Sequence, residues 1–238
     1  MIQSEPSWRR LRCGLCAIRP APAAAPHAID LPMADKSHWD CVYADRADDA
    51  LSWFQQHPRR SLALIAASGV GSDAAIIDVG GGASHLTADL LSEGFADLWV
   101  LDISATALAA SRTRLGAYAD RVHWIEADVT QVDLPPARFD IWHDRAVFHF
   151  LTEPADRAAY AAAALCAVKP GGHLIIATFA EDGPEQCSGL PVARYDAASL
   201  ASQFGDGWSL VHTAKEAHLT PAGKEQQFRY CLLRRHTL

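Results

Sequence analysis

The sequence has no apolar run near the roughly 20 residues that a membrane-spanning helix needs, so no such helix is expected. It is poor in basic charge. Its 21 Lys and Arg stand against 28 Asp and Glu, a net −7, without the basic stripe that gripping a nucleic-acid backbone demands. Its six cysteines, at 13, 16, 41, 166, 187 and 231, follow no disulfide framework, which points to a reducing, cytoplasmic setting. Cys13 and Cys16 form a lone CxxC with no second pair to complete a zinc site, so no metal is expected. With half its residues hydrophobic and 21% charged, the chain is neither disordered throughout nor fibrous. Its 238 residues suffice for one large domain.

The charge is unevenly placed. Residues 1–32 hold Arg9, Arg10, Arg12 and Arg19 against Glu5 and Asp30, a balance of +2 that leaves −9 for residues 33–238. The segment closes on Pro20, Pro22 and Pro26 among alanines, a composition that opposes helix and sheet ladders. It lacks the apolar stretch of a secretory signal. Residues 1–32 are therefore expected to be a disordered extension, a leader or sequence upstream of a start at Met33, with the fold in residues 33–238.

From Ala74 onward, short apolar runs alternate with helical periodicities. Strands are expected at 75–79, 98–101, 122–125, 139–142 and 173–179, with two more at about 208–213 and 227–233 forming a hairpin. Between them, Leu86, Leu90 and Leu91 repeat at helical spacing up to Gly94. Ser104 caps a helix running to about Tyr118, Pro154 opens one carrying Tyr160, Ala163, Ala164, Ala167 and Val168 on one face, and Asp196 caps the last. Such alternation signifies a doubly wound, mostly parallel α/β sheet, here with an antiparallel addition at one edge.

In open α/β sheets, ligands sit beyond the carboxyl ends of the strands, where strand order reverses. After the first strand comes Asp78-Val79-Gly80-Gly81-Gly82, three glycines that let the backbone turn and leave no Cβ against a flat ligand. After the second comes Asp102, 22 residues beyond Gly80, placed to accept ribose hydroxyls. After the third comes Asp128, able to accept from an exocyclic amine. A dinucleotide fingerprint fails because His85 stands where its third glycine belongs, and no Gly-Lys-Ser/Thr phosphate loop follows. Asp78 ahead of the glycines would repel a diphosphate. The pattern suits a ligand with an amino group and no phosphates.

Taken together, Asp78-Val79-Gly80-Gly81-Gly82, Leu101-Asp102-Ile103-Ser104, Ala127-Asp128-Val129, Phe139-Asp140-Ile141-Trp142 and the stretch from Leu165 to Phe179 with its Lys-Pro-Gly-Gly turn resemble a class I S-adenosylmethionine-dependent methyltransferase over residues 38–180. The resemblance implies a Rossmann-like sheet of seven strands with the last antiparallel, and S-adenosyl-L-methionine as cofactor. It implies that Gly80 and Gly82, with Gly81 between them in place of the family's frequent Cys or Ser, lie under the cofactor. Asp102 with Ile103 would hold the ribose, Asp128 and Val129 would border the adenine, and His143 would run beside the methionine portion. The segment Ser37 to Tyr43 also resembles the leading segment of small methyltransferases, so Trp39 and Tyr43 are expected either to close over the cofactor or to staple the sheet edge.

The acceptor side is expected in His143-Asp144-Arg145, directly after the fourth strand. Asp144 is a candidate to orient the acceptor or take its proton and Arg145 to hold an anion; equally, the two can pair with each other. The string lacks the Asn/Asp-Pro-Pro-Tyr/Phe signature of amino-group methylation on bases. His149 reads as a core histidine more than as a base. Cys187, in the loop after the fifth strand, is a candidate substrate contact. A soft-ligand trio with Cys41 and Cys231 competes with a plain structural role for Cys231 within a strand. The expected activity is in-line methyl transfer to a small molecule by a monomer or homodimer. A protein lysine as acceptor, or cofactor binding without turnover, are the rivals.

Overall fold

The computed structural model describes residues 35–237; Cys13, Cys16 and the expected extension at 1–32 lie outside them. The chain opens with α1 (Lys36–Asp45) and α2 (Arg59–Ala67). Then β1 (Ala75–Val79), α3 (Leu86–Ser92), β2 (Asp97–Asp102), α4 (Ala105–Leu115) and β3 (Val122–Glu126) alternate. Next come β4 (Phe139–Arg145), α5 (Pro154–Ala167), β5 (Val168–Phe179), the short β6 (Gln186–Cys187) and β7 (Leu190–Pro191), α6 (Ala197–Ser202), β8 (Trp208–Leu219) and β9 (Glu225–Arg235).

Seven strands form one sheet in the order β3-β2-β1-β4-β5-β9-β8. The first five are parallel, and β9 runs antiparallel between β5 and β8. Parallel strands covered on both faces are mostly apolar, and β1 has all five residues buried, four of them apolar and the fifth Asp78. One face packs on Tyr160, Ala164 and Ala167 of α5 and Leu200 of α6. The other packs on Leu64 and Ile65 of α2, Leu86 and Leu90 of α3 and Leu108 of α4. Strand order reverses at β1, whose neighbours β2 and β4 lead to helices on opposite faces. A cleft therefore opens beyond the carboxyl ends of β1 and β4.

The local signals work as the sequence predicts at several ends. Ser104 accepts from the Ala107 N–H, and Asp196 forms a capping box with Ser199. Gly94 takes φ +92 just past α3. Four boundaries differ. Gly116, at φ +55, stops α4 before Tyr118, and residues 116–121 form a 3-10 turn. Val168 joins β5 rather than α5, because it pairs with Phe139 on β4. The hairpin strands β8 and β9 are longer than expected, since each ladders along nearly the whole of the other. Within the loop after β5, Ser188 (φ +51) and Gly189 (φ +79) turn β6 into β7 as a tight hairpin.

The fourth boundary, the end of β4, matters most for function. β4 continues through Arg145, held by β1 on one side (Val79 opposite Asp144) and β5 on the other (Arg145 opposite Ala177). His143, Asp144 and Arg145 are thus strand residues, and strand side chains alternate between faces.

Candidate active site

A cleft of about 770 Å³, counted out to its mouth, lies beyond the strand ends. Its floor comes from Val79 and Gly80 at the end of β1, Leu101, Asp102 and Ile103 at the end of β2, and Ala127, Asp128 and Val129 after β3. Trp39 and Tyr43 of α1, Trp53, Arg145, Phe150 and Cys187 close the other end. A second hollow of about 510 Å³ adjoins it through Trp53, Gly80 and Arg145, and is lined by Ser61, Asp78 and His143.

The glycine turn is shaped by what surrounds it. Gly80 has φ +69, and a Cβ on it would overlap the Val147 side chain. A Cβ on Gly82 would press on the Asp102 carboxylate and the Ala107 methyl. Gly81, also buried, lies against the Asp78 carboxylate. The backbone here is bare, a cradle that any side chain would fill.

Asp102 is 4% exposed, and its oxygens accept from the Gly82 N–H (2.9 Å) and the Ser104 N–H (2.8 Å). Burial pushes its carboxyl up to about 6; the two backbone donors act against that shift and the charges of Asp78 and Asp40 add to it. Each of its oxygens keeps a lone pair for a ligand hydroxyl. Asp128 accepts from the backbone and hydroxyl of Thr130 and from the Gln131 amide. Val129 beside it is buried.

Asp78, His143 and Ser61 form a buried chain. His143 Nδ1 lies 2.7 Å from Asp78 Oδ1 and its Nε2 lies 2.8 Å from Ser61 Oγ. A carboxylate only accepts, so Nδ1 donates to it, and in the neutral ring Nε2 accepts from the Ser61 hydroxyl. This leaves Asp78 Oδ2 buried without a protein partner. A buried anionic oxygen with no donor is a strong demand for one from a ligand.

Alternation along β4 separates the two residues offered for the acceptor. Asp144 points into the α5 face, fully buried, and accepts from the Tyr160 hydroxyl (2.6 Å) and the N–H groups of Val147 (2.9 Å) and Phe148 (3.0 Å). It is absent from the lining of either hollow. Three protein donors already hold it on the far face of the sheet, away from the cleft where the acceptor is expected. Nor does it pair with Arg145, which points the other way. Arg145 Nε donates to the Tyr230 hydroxyl (2.9 Å), Nη1 donates to the Trp53 carbonyl (2.8 Å), and the guanidinium lies 4.3 Å over the Phe228 ring. Its Nη2 is buried without a hydrogen-bond partner.

α1 lies across the mouth of the cleft. Its Asp35 cap accepts from the His38 N–H. Asp40 accepts from the Ser104 hydroxyl (2.6 Å), and Lys36 pairs with Glu126 at the end of β3 (3.0 Å). Trp39 packs edge-on against Phe150, with ring centroids 4.9 Å apart, and against Trp53 at 6.0 Å. No residue of α1 is fully buried, as befits a strap over a cleft more than a core helix.

The remaining candidates sort clearly. His149 is a core histidine whose Nδ1 accepts from the Phe179 N–H (3.2 Å), and burial, with a smaller push from Arg145, drives its pKa down to about 3. Cys187 lines the cleft, and burial raises its thiol to about 11, so it stays protonated at neutral pH. Cys231 faces the opposite side of the sheet and Cys41 is exposed on α1, so the three cysteines do not converge. Among the described residues no cluster of three or more His, Cys, Asp or Glu can hold a metal ion, and no helix is long and apolar enough to cross a membrane. Sequence reasoning missed Ser61 and the Arg145 partners Tyr230 and Glu216. They are distant in the chain and carry no local signal.

This sheet order, with the cleft at the β1–β4 switch and acids at the ends of β1 and β2 and after β3, is that of the Rossmann-like methyltransferase fold. Residues 76–172 match the family model for a methyltransferase domain. Among solved structures, the chain is similar to a protein studied for the conversion of a disulfide bond into a thioacetal group during echinomycin biosynthesis (21% identity, TM-score 0.70, covering 84% of this chain and 91% of that one). It is also similar to the 1,6-didemethyltoxoflavin-N1-methyltransferase of Burkholderia thailandensis, bound to 1,6-didemethyltoxoflavin and S-adenosylhomocysteine (20%, 0.64, 87% and 93%). A third is the magnesium protoporphyrin IX methyltransferase of Synechocystis PCC 6803 with S-adenosylhomocysteine (18%, 0.61, 84% and 93%). No curated protein matches the chain in sequence.

Proposed function

We propose that this protein transfers a methyl group from S-adenosyl-L-methionine to a small-molecule acceptor. The observation that carries the reading is the cradle itself: bare glycine backbone at Gly80–Gly82, the Asp102 carboxylate with spare lone pairs, and the orphaned Asp78 Oδ2. These fit an amine-bearing nucleoside. Asp102 and Ile103 would take the ribose, Asp128 and Val129 the adenine edge, and Asp78, held by His143, the amino group. The bound cofactor supplies a methyl on a sulfonium, already activated for displacement, so the protein's own work is positioning and exclusion of water.

Trp39 and Tyr43 on α1 cover the cleft, and Arg145 faces its acceptor end. Asp144, through Tyr160 and the Val147 and Phe148 amides, positions the turn after β4 and touches no reactant. An enclosed, aromatic-lined acceptor end favours a small molecule over a macromolecular chain. Calorimetric titration with S-adenosylhomocysteine tests the reading. Binding in the micromolar range is expected, and no heat up to about 0.5 mM, a free energy near −4.5 kcal/mol, would sink it.

A further inference from the structure

We infer that the acceptor end of the cleft is an anion-selective aromatic box, and that its ligand is a flat ring system bearing a negative charge. The inference rests on the functional reading above and names the substrate class of the same site.

Four aromatic side chains from three separate segments meet there. Trp39 and Tyr43 come from α1, Trp53 from the segment before α2, and Phe150 from the 3-10 turn after β4. Their ring pairs lie 4.9–6.4 Å apart, and three of the four contacts are near-perpendicular. Rings packed edge to face turn both faces and edges toward the space they enclose, and a planar guest can stack on one and meet the edge of another. An aromatic box alone also suits a cation, through the negative faces of its rings. The sign of the guest's charge must come from something else.

Arg145 decides it. Its side chain is 9% exposed, it lines the same wall, and its Nη2 is a buried donor with no hydrogen bond, at ion-pair distance from Glu216 alone. Glu216 Oε2 is 4.0 Å from that nitrogen, beyond hydrogen-bond reach, and already accepts from the Tyr230 hydroxyl at 2.8 Å. Nε and Nη1 are tied to Tyr230 and the Trp53 carbonyl, so the guanidinium is held still and the free nitrogen cannot swing to solvent. The acids of the cleft, Asp102 and Asp128, belong to β2 and β3. β4 is two and three strands away from them, about 10 and 14 Å at the usual strand spacing. Arg145 is the only Lys or Arg lining the cleft among the described residues. A cationic guest such as a lysine side chain would meet that fixed positive charge in a poorly solvated place. A carboxylate, phenolate, enolate or thiolate on a flat ring would give Nη2 the partner it lacks.

Three probes of one shape test this: 2-naphthoate, naphthalene-2-carboxamide and 2-naphthylmethylamine, titrated into the protein with and without S-adenosylhomocysteine and followed by tryptophan quenching. Naphthoate should bind about tenfold or more tighter than the carboxamide, and the protonated amine weakest. R145Q should erase the naphthoate preference while the carboxamide affinity stays within about threefold; F150A should weaken all three alike. Thermal melting confirms that both variants are folded. Should R145Q prove unfolded, the ranking of the three probes on the unaltered protein still decides. Equal affinity of the probes, binding of none, or tightest binding of the amine overturns the inference. Failure of S-adenosylhomocysteine to bind, with the naphthoate preference intact, overturns the functional reading alone.

Discussion

Cofactor binding should weaken with acid because of one carboxylate. A ribose diol donates to an ionised Asp102 and far less to a protonated one, and burial holds that carboxyl at about 6 in the unliganded protein. As pH falls through 6 the charge is lost, so at pH 5 about one molecule in ten is ready to bind. S-adenosylhomocysteine affinity should then be about tenfold lower at pH 5 than at pH 8, or ~1.4 kcal/mol. Calorimetry at pH 5, 6, 7 and 8 reads the affinity directly. Repeating the pH 5 titration in buffers of different ionisation enthalpy should show close to one proton released per cofactor bound. Asp102→Asn should bind roughly a hundredfold more weakly, from losing charge-assisted bonds to two hydroxyls, and its affinity should be flat over this range. The same raised pKa carries a cost in stability. An unfolded carboxyl titrates near 3.9, so between about pH 4 and 6 the folded form binds more protons, and the unliganded protein should lose roughly 3 kcal/mol from this group as pH rises through that window. A cofactor affinity unchanged from pH 5 to pH 8 would refute the reasoning.

Three further outcomes follow from the geometry. Gly80→Ala places a Cβ onto Val147 at a positive φ, so it should cost about 1–3 kcal/mol in a denaturant melt and remove detectable cofactor binding; a variant that binds normally would show the cradle is wider than it looks. Asp144→Asn breaks the set of bonds from Tyr160, Val147 and Phe148, and should cost about 2–4 kcal/mol of stability with S-adenosylhomocysteine affinity within a few-fold of the unaltered protein. An undiminished melt would return Asp144 to the list of reacting groups. Cys187, with its thiol held near 11, should react with iodoacetamide at pH 7.5 roughly a hundredfold more slowly than exposed Cys41, as read by peptide mass spectrometry, and equal rates would contradict its burial.

The parallel half of the fold was legible because its signals are local. Ser104 and Asp196 are caps, β1 is an apolar run broken only by Asp78, and Gly80–Gly82 sits between a strand and a helix. Those features need no distant partner to be read, and they locate the strand ends where acids gather. What could not be read depends on which strands become neighbours. His143, Asp144 and Arg145 look like a loop after the short run Phe139-Asp140-Ile141-Trp142, yet β1 and β5 on either side supply ladder partners that keep them in β4. That one extension assigns their faces. Two residues that seemed equal candidates in the sequence then part company, Asp144 into the α5 core and Arg145 into the cleft.

The same alternation explains how a buried histidine comes to serve Asp78. His143 lies opposite Asp78 in the parallel ladder, so both side chains leave the sheet on one face, and Ser61 of α2 closes over them from above. One Asp78 oxygen is consumed in fixing the carboxylate, and the other is left without a protein donor. A motif of acid and glycines supplies the second oxygen's availability, and only the adjacency of β4 supplies its orientation. Function at this cleft is therefore divided between residues that the sequence announces and residues that strand order brings to them. On the reading proposed above, Asp78 with His143, Asp102 and Asp128 would hold the nucleoside, and Arg145 with the four rings would select the acceptor.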